Sequence, residues 1–471
     1  MSVRRREPTA LTSPLLPGEV WAAVGVFAAM CVAVLVKAPQ LLEPDDFAYR
    51  ASIVALSQGH VLLSNAQFLA LYAQLSAHGG GGIYQWVHLA NGQWISQKNP
   101  GYPFFAVVFQ WLHALRWAPL FYGALGCAGL FYGSRRWLGR WGGTIAVALY
   151  CTSGAALNFA WRAQMPTFSD ASLIAGAAGL LLGVLLGTEE SETRRLALGA
   201  LAFLALDGAV LIRYTNVAVL IVAAITVVAL ARAASVTRAM LLSWFAVVVV
   251  FALGDLELNH ALYGGFMKTG YASGLITFGT SAIIPNLERM PVRLVESMPV
   301  VLLALGALAW IAVRLAHAGP LEPFEQECVR ARRDATVALF VAAGWFGVWG
   351  LYATYTWTVG QTLGPNNPVH VVRFYLPALG LIALLAAWLV AQLPRWLPAA
   401  LIAVLAGLGL WSYQTPANHI IGGPSYGPVT PIRSPAGQGP APVGGPTTFV
   451  PGGDLRVGSP VARGHPSGVG D

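Results

Sequence analysis

The sequence predicts an all-α polytopic membrane protein, built as one bundle of about eleven transmembrane helices. Three observations lead to this fold class. Apolar residues make up 56% of the 471 residues and charged residues only 10%, whereas soluble domains carry about 25% charged residues. Apolar stretches long enough to cross a bilayer recur along most of the chain. Arginines gather in short segments between these stretches, a pattern typical of loops on one side of a membrane.

The predicted helices are apolar stretches that approach the roughly 17–25 residues a spanning helix needs. They lie at 20–36, 119–133, 141–159, 171–187, 196–212, 216–231, 238–254, 298–315, 336–353, 373–391 and 396–412. The first helix follows Arg4, Arg5 and Arg6 and lacks a small-residue cleavage site. We therefore expect it to be retained as a signal-anchor helix.

The apolar segment 103–115 is short for a spanning helix, at about 13 residues. If this segment does not span, all the arginine clusters from Arg4 to Arg395 fall on one side of the membrane. The positive-inside rule makes that side cytoplasmic. We therefore expect 103–115 to lie at the outer face and the N-terminus to be cytoplasmic, in a protein of the plasma (inner) membrane.

This orientation divides the chain into three regions. Residues 1–19 form a cytoplasmic N-terminus, and 20–412 form the transmembrane domain. The domain carries a long first outer loop, 37–118, with short juxtamembrane helices, and a second large outer loop, 255–297. Residues 413–471 are dense in Pro and Gly and cannot bury a core, which predicts a disordered outer tail.

The stretch EPDDFAYR places Asp45 and Asp46 directly after the first predicted helix. A carboxylate beside a hydroxyl can act as a general base. Asp is also a preferred N-cap residue, and an amphipathic helix is predicted to follow until Gly59. Taken alone, the pair of acids favours capping over catalysis.

Four cations lie in segments predicted to be at the outer face: Lys98, Arg213, Lys268 and Arg373. Arg and Lys suit a phosphate group, Arg as a two-point fork and Lys as a point charge. The alternative is that each side chain reaches towards lipid headgroups.

Other polar residues admit two interpretations each. Asp207 lies inside a predicted helix, where an acid usually has a functional role. The alternative is that it forms a structural pair with a residue of another helix. Arg162 and Asp170 flank the segment AQMPTFS. They either line an acceptor groove or form an ion pair with each other, and an ion pair at the surface is favoured. The nine histidines show no ligand spacing, so no metal site is predicted.

The order of short motifs along the chain supplies a more specific hypothesis. PDD, with Tyr49 four residues after Asp45, is followed by KNPGYP, RRWLGR, RYTN and RFYLP. This order resembles the GT-C superfamily of polyprenyl-phosphate-sugar-dependent glycosyltransferases, in the branch of protein O-mannosyltransferases and aminoarabinose transferases. The resemblance covers roughly residues 15–410 and is strongest over 40–140, and it implies a GT-C-like fold.

The resemblance implies roles for individual residues. Asp45 corresponds to the catalytic base, with Asp46 in the second catalytic position, and Lys98 to the lysine that contacts the donor phosphate. Here Asn99 and a single Pro replace part of the family's lysine motif. We expect further donor-phosphate contacts from Arg213, Arg373 and Lys268. We expect acceptor or sugar contacts from Tyr49, Tyr102, Arg162 and Asp207.

The implied reaction is an inverting transfer of a hexose or pentose from a polyprenyl phosphate to an acceptor hydroxyl at the outer face. The acceptor is a lipid, a glycan or a protein, and no nucleic acid is expected as a partner. The reaction requires no cofactor or metal, although a divalent cation is compatible with it. Two alternatives stay open: a transporter or flippase of lipid-linked envelope precursors, and a non-catalytic envelope scaffold.

Overall fold

The computed structural model describes residues 16–38, 44–77, 83, 85–89, 91–187, 189–271, 277–317, 326–361, 372–394 and 396–414. The first half of the chain forms α1 (Pro17–Val36), α2 (Pro44–Ser57), α3 (Asn65–Ala77), β1 (Trp86–His88), β2 (Trp94–Ser96), α4 (Gly101–Trp111), α5 (Ala118–Leu138), α6 (Gly142–Cys151), α7 (Gly154–Trp161), α8 (Thr167–Leu186) and α9 (Glu192–Ile212). The second half forms α10 (Val217–Leu230), α11 (Arg238–Tyr263), α12 (Ile283–Ser297), α13 (Val300–His317), α14 (Gln326–Ala353), α15 (Thr356–Gln361), α16 (Leu379–Val390) and α17 (Leu397–Gln414).

Within the described ranges, six helices are long and apolar enough to cross a membrane: Pro17–Val36, Thr167–Leu186, Glu192–Ile212, Arg238–Tyr263, Val300–His317 and Ala331–Ala353. A seventh span results if α6 and α7 are taken together. Three shorter apolar helices are Tyr214–Leu230, Leu376–Val390 and Leu397–Tyr413. The protein thus has the make-up of a multi-pass helical membrane protein, as predicted. All eleven predicted stretches coincide with a helix or a helix pair, but length and composition do not confirm eleven spans.

Three of the predicted helices differ from the structure in continuity or in where they begin or end. The stretch 141–159 is not one helix, because α6 and α7 meet at a bend of 64°. Helix α11 continues to Tyr263 instead of ending at 254. Helix α14 begins at Gln326, ten residues before the predicted start at 336.

Helices α5 and α8 pack backbone to backbone through glycines. A Cβ atom placed on Gly129 would lie 2.3 Å from the carbonyl oxygen of Gly176, and one on Gly179 would lie 2.0 Å from that of Gly129. Such close approach is typical of helix pairs in membranes, where small residues let backbones meet. The contact fixes α8, whose N-terminal end carries residues of the candidate site.

The segment predicted to be the first outer loop folds into a small layer of its own. Strands β1 and β2 pair antiparallel, with Val87 opposite Ile95. Trp94 stacks on Phe68 of α3 at a ring-centroid distance of 4.5 Å. Helix α4 has 11 residues, too short for a straight span, in agreement with the prediction that 103–115 does not cross. This layer carries Lys98 directly after β2.

Lys37 joins the C-terminal ends of α1 and α17, the first and last described helices, at the side of the bundle predicted to be outer. Its ammonium group lies 4.2 Å from the ring centroids of both Trp161 and Tyr413, and it donates to the carbonyl of Tyr413 at 3.2 Å. Arg116 donates to the carbonyl of Lys37 at 2.7 Å. A cation held between two aromatic faces is stabilised by the ring quadrupoles. We call these four residues the outer clasp.

The opposite end of the bundle carries paired arginines. Glu19 of α1 is buried and accepts from Arg135 at 3.0 Å and from Arg140 at 3.2 Å. Arg136 pairs with Glu189 and Glu190. These pairs tie α1, α5 and the start of α9 together at the end where the sequence predicts the cytoplasm.

Candidate active site

Asp45 and Asp46 lie in the first turn of α2. The described part of α2 begins at Pro44, before both acids. Neither acid therefore occupies the N-cap position, contrary to the capping interpretation. Their negative charges still favour the positive end of the helix dipole.

Asp45 bonds to two cations from distant parts of the chain. Its Oδ1 lies 2.8 Å from Nζ of Lys98, and its Oδ2 lies 2.9 Å from Nη1 of Arg373. The Asp45 side chain is 16% exposed and each cation 7%. The structure thus brings together three predicted site residues from α2, from the segment after β2 and from the segment before α16. We call these three residues the acid–cation cluster.

Burial alone would raise the pKa of the Asp45 carboxyl. The positive charges of Lys98 and Arg373 outweigh this effect and hold the pKa of Asp45 well below its usual range. Burial likewise disfavours the charged form of Lys98, but the Asp45 carboxylate raises the pKa of Lys98 above its ordinary value. Asp45 and Lys98 are therefore both charged near neutral pH.

The Lys98 segment is held by close backbone contacts. The side-chain amide of Asn99 donates to the carbonyl of Ile212, at the end of α9, at 3.3 Å. A Cβ atom on Gly101 would lie 2.5 Å from the carbonyl oxygen of Leu211, so only glycine fits there. Asn99 and Gly101 of the KNPGYP motif thus fix the segment to the outer end of α9 and hold Lys98 in place.

Tyr271 is a site residue that sequence reasoning missed. Nζ of Lys98 lies 3.1 Å from the Tyr271 hydroxyl, to which it donates. A Cβ atom on the preceding Gly270 would lie 2.5 Å from Cα of Gln97, so the two segments touch. The sequence analysis selected Lys268 from this segment because of its charge. Nothing in the sequence indicated that Tyr271 is the residue that contacts Lys98.

Arg373 lies against aromatic rings. Its guanidinium carbon is 4.7 Å from the ring centroid of Phe374 and 5.4 Å from that of Trp357. Such contacts attract a cation to the ring faces and fix the guanidinium plane. The aromatic wall leaves Arg373 oriented towards Asp45.

Arg213 supports the acid–cation cluster from one side. Its Nε pairs with Asp170 at 2.9 Å, and its Nη1 donates to the carbonyl of Arg373 at 3.2 Å. Its Nη2 donates to Thr167 at 3.1 Å. Asp170 also accepts from Asn216 at 3.2 Å. Arg213 thus connects α8 to the backbone that carries Arg373.

Asp46 and Arg162 form a buried ion pair. Oδ2 of Asp46 lies 2.5 Å from Nη2 of Arg162, and both side chains are 0% exposed. The expected surface pair between Arg162 and Asp170 is therefore wrong, because both residues are buried and Asp170 pairs with Arg213. A carboxylate closed off by a guanidinium fork is suited to holding α2 against the end of α7. The catalytic role of Asp46 and the acceptor contact of Arg162 stay predictions.

Tyr49 of α2 and Tyr102 of α4 pack edge to face, with ring centroids 6.0 Å apart. Tyr49 is 6% exposed and Tyr102 is 0% exposed. The Tyr102 hydroxyl donates to the carbonyl of Ala163, and burial raises the pKa of Tyr49 well above its ordinary value. Both tyrosines form the floor of the site and pack, in this structure, instead of facing solvent.

Two predicted site residues lie apart from the acid–cation cluster. Asp207 is a buried residue of α9 whose Oδ2 has no hydrogen-bond partner within the described ranges. Lys268 is exposed on the turn after α11 and folds over Gly265. Neither is in a described contact with Asp45, Lys98 or Arg373.

The surroundings of Lys98 offer a small, mostly apolar cleft. It is lined by Lys98 together with residues of α2, β1, α4 and the end of α11, among them Leu56, Trp86, Phe104 and Tyr263. Asp45 is not among the lining residues. Across the described parts of the chain, no three His, Cys, Asp or Glu side chains are grouped so that they could hold a metal ion.

Comparison of the sequence with models of protein families and with curated proteins gave no match. Comparison of the fold with solved structures gave several. They include ArnT from Cupriavidus metallidurans in the apo state, at 16% identity and a TM-score of 0.45 over 82% of this chain and 62% of that one. The same protein bound to undecaprenyl phosphate matches at 15% identity and a TM-score of 0.46, over 86% of this chain and 70% of that one.

The apo form of an oligosaccharyltransferase from Archaeoglobus fulgidus also matches, at 10% identity and a TM-score of 0.47, over 85% of this chain and 56% of that one. This chain spans 62% of the length of the first ArnT structure. An ArnT and an oligosaccharyltransferase are proteins of the kind that the motif order resembled. With TM-scores below 0.5, a function for this chain has to be inferred from its own residues.

Proposed function

We propose that this protein is an inverting glycosyltransferase, which moves a sugar from a polyprenyl-phosphate donor to an acceptor hydroxyl at the outer face of the membrane. The observation that carries the proposal is the acid–cation cluster. The Asp45 carboxylate lies 2.8 Å from Lys98 and 2.9 Å from Arg373, two cations of the kinds that bind phosphate, in a chain with helices long and apolar enough to cross a membrane. A general base next to an anion site is the minimum that this reaction needs.

The reaction begins with competition for the two cations. In the donor-free protein, Lys98 and Arg373 neutralise Asp45, and a carboxylate so paired is a weak base. The donor phosphate is a diester with one negative charge and two free oxygens, so it can pair with both cations in place of the carboxylate. The Asp45 carboxylate is then free to accept the proton of the acceptor hydroxyl.

The second part of the reaction is the departure of the phosphate. The acceptor oxygen attacks the anomeric carbon on the face opposite the phosphate, which inverts the configuration. The bond from that carbon to the phosphate oxygen breaks, and its electron pair stays on the phosphate. Lys98 and Arg373 stabilise this charge, and removing one such donor costs about 3–4 kcal/mol in comparable sites.

The test is transfer of labelled sugar by the purified protein, from polyprenyl-phosphate mannose or pentose to candidate lipid, glycan and peptide acceptors. We expect Asp45→Asn to lower kcat by about 10²–10⁴ and Lys98→Met to lower kcat/KM by about 10²–10³. Lys268→Met is the matched control, since Lys268 is exposed and outside the cluster. Transfer that survives both Asp45→Asn and Lys98→Met would refute the proposal.

A second candidate function is transport of a lipid-linked precursor. The bend of 64° between α6 and α7 favours it, since broken helices are common in transporters. Reconstituted vesicles distinguish the two functions. Movement of a labelled lipid-linked sugar across the bilayer, without any transfer to an acceptor, would establish transport instead.

A further inference from the structure

A cavity of about 390 Å³ lies inside the bundle, apart from the acid–cation cluster. Its walls come from α8, α9, α10, α14 and α16, and its lining is almost wholly apolar, with Ile174, Leu186, Leu230 and Phe340 as examples. Neither Asp45, Lys98 nor Arg373 lines it. Its volume falls within the range of about 300–1,000 Å³ typical of small-molecule sites.

The cavity is long. Its lining residues run along α8 from Ile174 to Leu186, which corresponds to about 18 Å of helix. They run along α10 from Val219 to Leu230 over a similar length. A space of this length between apolar side chains suits an extended alkyl chain, which is removed from water there.

One end of the cavity carries a positive charge. Arg333 is the single charged residue among those that line it. Its Nε is buried without a hydrogen-bond partner within the described ranges. Its Nη2 lies 3.6 Å from Oδ1 of Asp334, a carboxylate that already accepts from the indoles of Trp137 at 3.1 Å and Trp388 at 3.0 Å. Arg333 therefore keeps donors for an anion.

We propose that this cavity binds one acyl chain of an anionic phospholipid, whose phosphate pairs with Arg333. The lipid comes from the leaflet on the Arg333 side, the side opposite the acid–cation cluster. A single cation at one end of an otherwise almost wholly apolar cavity matches a phosphate headgroup that carries an alkyl chain. The proposal does not depend on the proposed sugar transfer.

The experiment titrates the delipidated full-length protein with dioleoylphosphatidylglycerol in detergent and counts bound lipid by native mass spectrometry. We expect Arg333→Gln to weaken binding about tenfold, since the phosphate loses a charged donor. Arg332→Gln is the matched control, because Arg332 is the exposed neighbour and does not line the cavity. Val341→Trp, which fills the cavity, should abolish this binding.

Two further arms identify the ligand. Dioleoylphosphatidylcholine, whose choline cancels the phosphate charge, should bind more weakly, and undecaprenyl phosphate should not displace the phosphatidylglycerol. Equal affinities for Arg333→Gln and Arg332→Gln, or full binding by Val341→Trp, would overturn the proposal. So would displacement by undecaprenyl phosphate.

The wild-type protein provides a readout that does not depend on the folding of any variant. Phosphatidylglycerol with a photoreactive group in its acyl chain should crosslink to 219–230 and 333–344, the lining segments of α10 and α14. Crosslinks confined to other segments would place the lipid elsewhere and contradict the proposal.

Discussion

The two neighbouring acids of α2 have different surroundings, and these surroundings assign them different tasks. Asp45 is 16% exposed and pairs with Lys98 and Arg373, two cations of the kinds that can bind a phosphate. Asp46 is 0% exposed and bonds to a guanidinium that is equally closed off. Asp45 is therefore the acid that solvent can reach, whereas Asp46 is closed off in an ion pair that joins α2 to Arg162.

The buried pair gives a prediction about stability. Asp46→Asn should lower the free energy of unfolding by about 3–5 kcal/mol, because it leaves the Arg162 charge buried without this carboxylate. The double change Asp46→Leu with Arg162→Met should cost less than Asp46→Asn alone, since no charge is then left buried. Thermal unfolding in detergent measures both. If Asp46→Asn keeps full stability yet loses sugar transfer, Asp46 belongs to the reaction and not to the framework.

The cations around Asp45 give a prediction about pH. The pKa of Asp45 is held below its ordinary value of about 3.9. The stabilisation from this pairing is therefore complete above that value and is lost only as the pH falls through the lower pKa of the folded protein. We expect Asp45 to contribute no change in melting temperature between about pH 5 and 8.

Removing both cations should reverse this behaviour. In Lys98→Met with Arg373→Gln, burial becomes the leading influence on Asp45 and raises its pKa. The free energy of unfolding of this variant should then fall as the pH rises above about 4. Adding Asp45→Asn to the same background is the control and should abolish that slope. A slope that persists in the triple variant must come from another group.

The sequence predicted the members of the site better than their pairings. The motif order brought Asp45, Lys98 and Arg373 together as candidates, because each stands in a short distinctive run. The partner of a buried acid depends on tertiary packing, so nothing in the sequence indicated that Arg162 bonds to Asp46 or that Asp170 bonds to Arg213.

At the scale of elements, the contact between α5 and α8 sets the position of the site. Asp170 and Thr167, which hold Arg213, lie in the first turn of α8. The glycines further along the same helix fix it against α5. A change in the spacing of these two helices would therefore move the support of Arg373.

This contact predicts a sharp difference between two glycines. Gly179→Leu should destabilise the protein by about 1–3 kcal/mol or more, because its Cβ would lie 2.0 Å from the carbonyl oxygen of Gly129. Gly254→Leu is the control, since nothing lies within 4 Å of a Cβ atom at that position of α11. Melting temperatures in detergent compare the two. Equal melting temperatures would mean that α5 and α8 are not packed as described.

The positions of the helices could be predicted, because the length of each apolar stretch can be read from the sequence. The break between α6 and α7 could not be predicted. The stretch 141–159 is apolar throughout except for a few small polar residues. At the break, the backbone of Thr152 faces Gly409 of α17, where a Cβ atom would come within 1.9 Å of the Thr152 carbonyl oxygen. Because this contact involves a helix far away in the sequence, the residues around the bend carry no pattern that predicts it.

At the scale of the whole molecule, the charges predict an orientation. The arginine pairs of α1, α5 and α9 lie at one end of the bundle, and the acid–cation cluster is carried by segments at the other. The positive-inside rule makes the arginine end cytoplasmic.

Single cysteines in a variant without native cysteines test this orientation. Asn91→Cys, in the hairpin of the first outer loop, should react in intact cells with a maleimide that cannot cross the membrane. Arg194→Cys, at the start of α9, should react only after the cells are opened. Both positions are exposed, so burial does not explain a difference. Labelling of Arg194→Cys in intact cells would invert the orientation and move the acid–cation cluster to the cytoplasm.

The outer clasp has a consequence for how the protein is made. Lys37 emerges from the ribosome early, but its second aromatic partner, Tyr413, belongs to the last described helix. Until that helix has been translated, α1 is in the bilayer without the contact between Lys37 and Tyr413. Insertion of the helices and closure of the bundle are therefore separate events, and the interval between them is the time in which an assembly factor could hold the first helix.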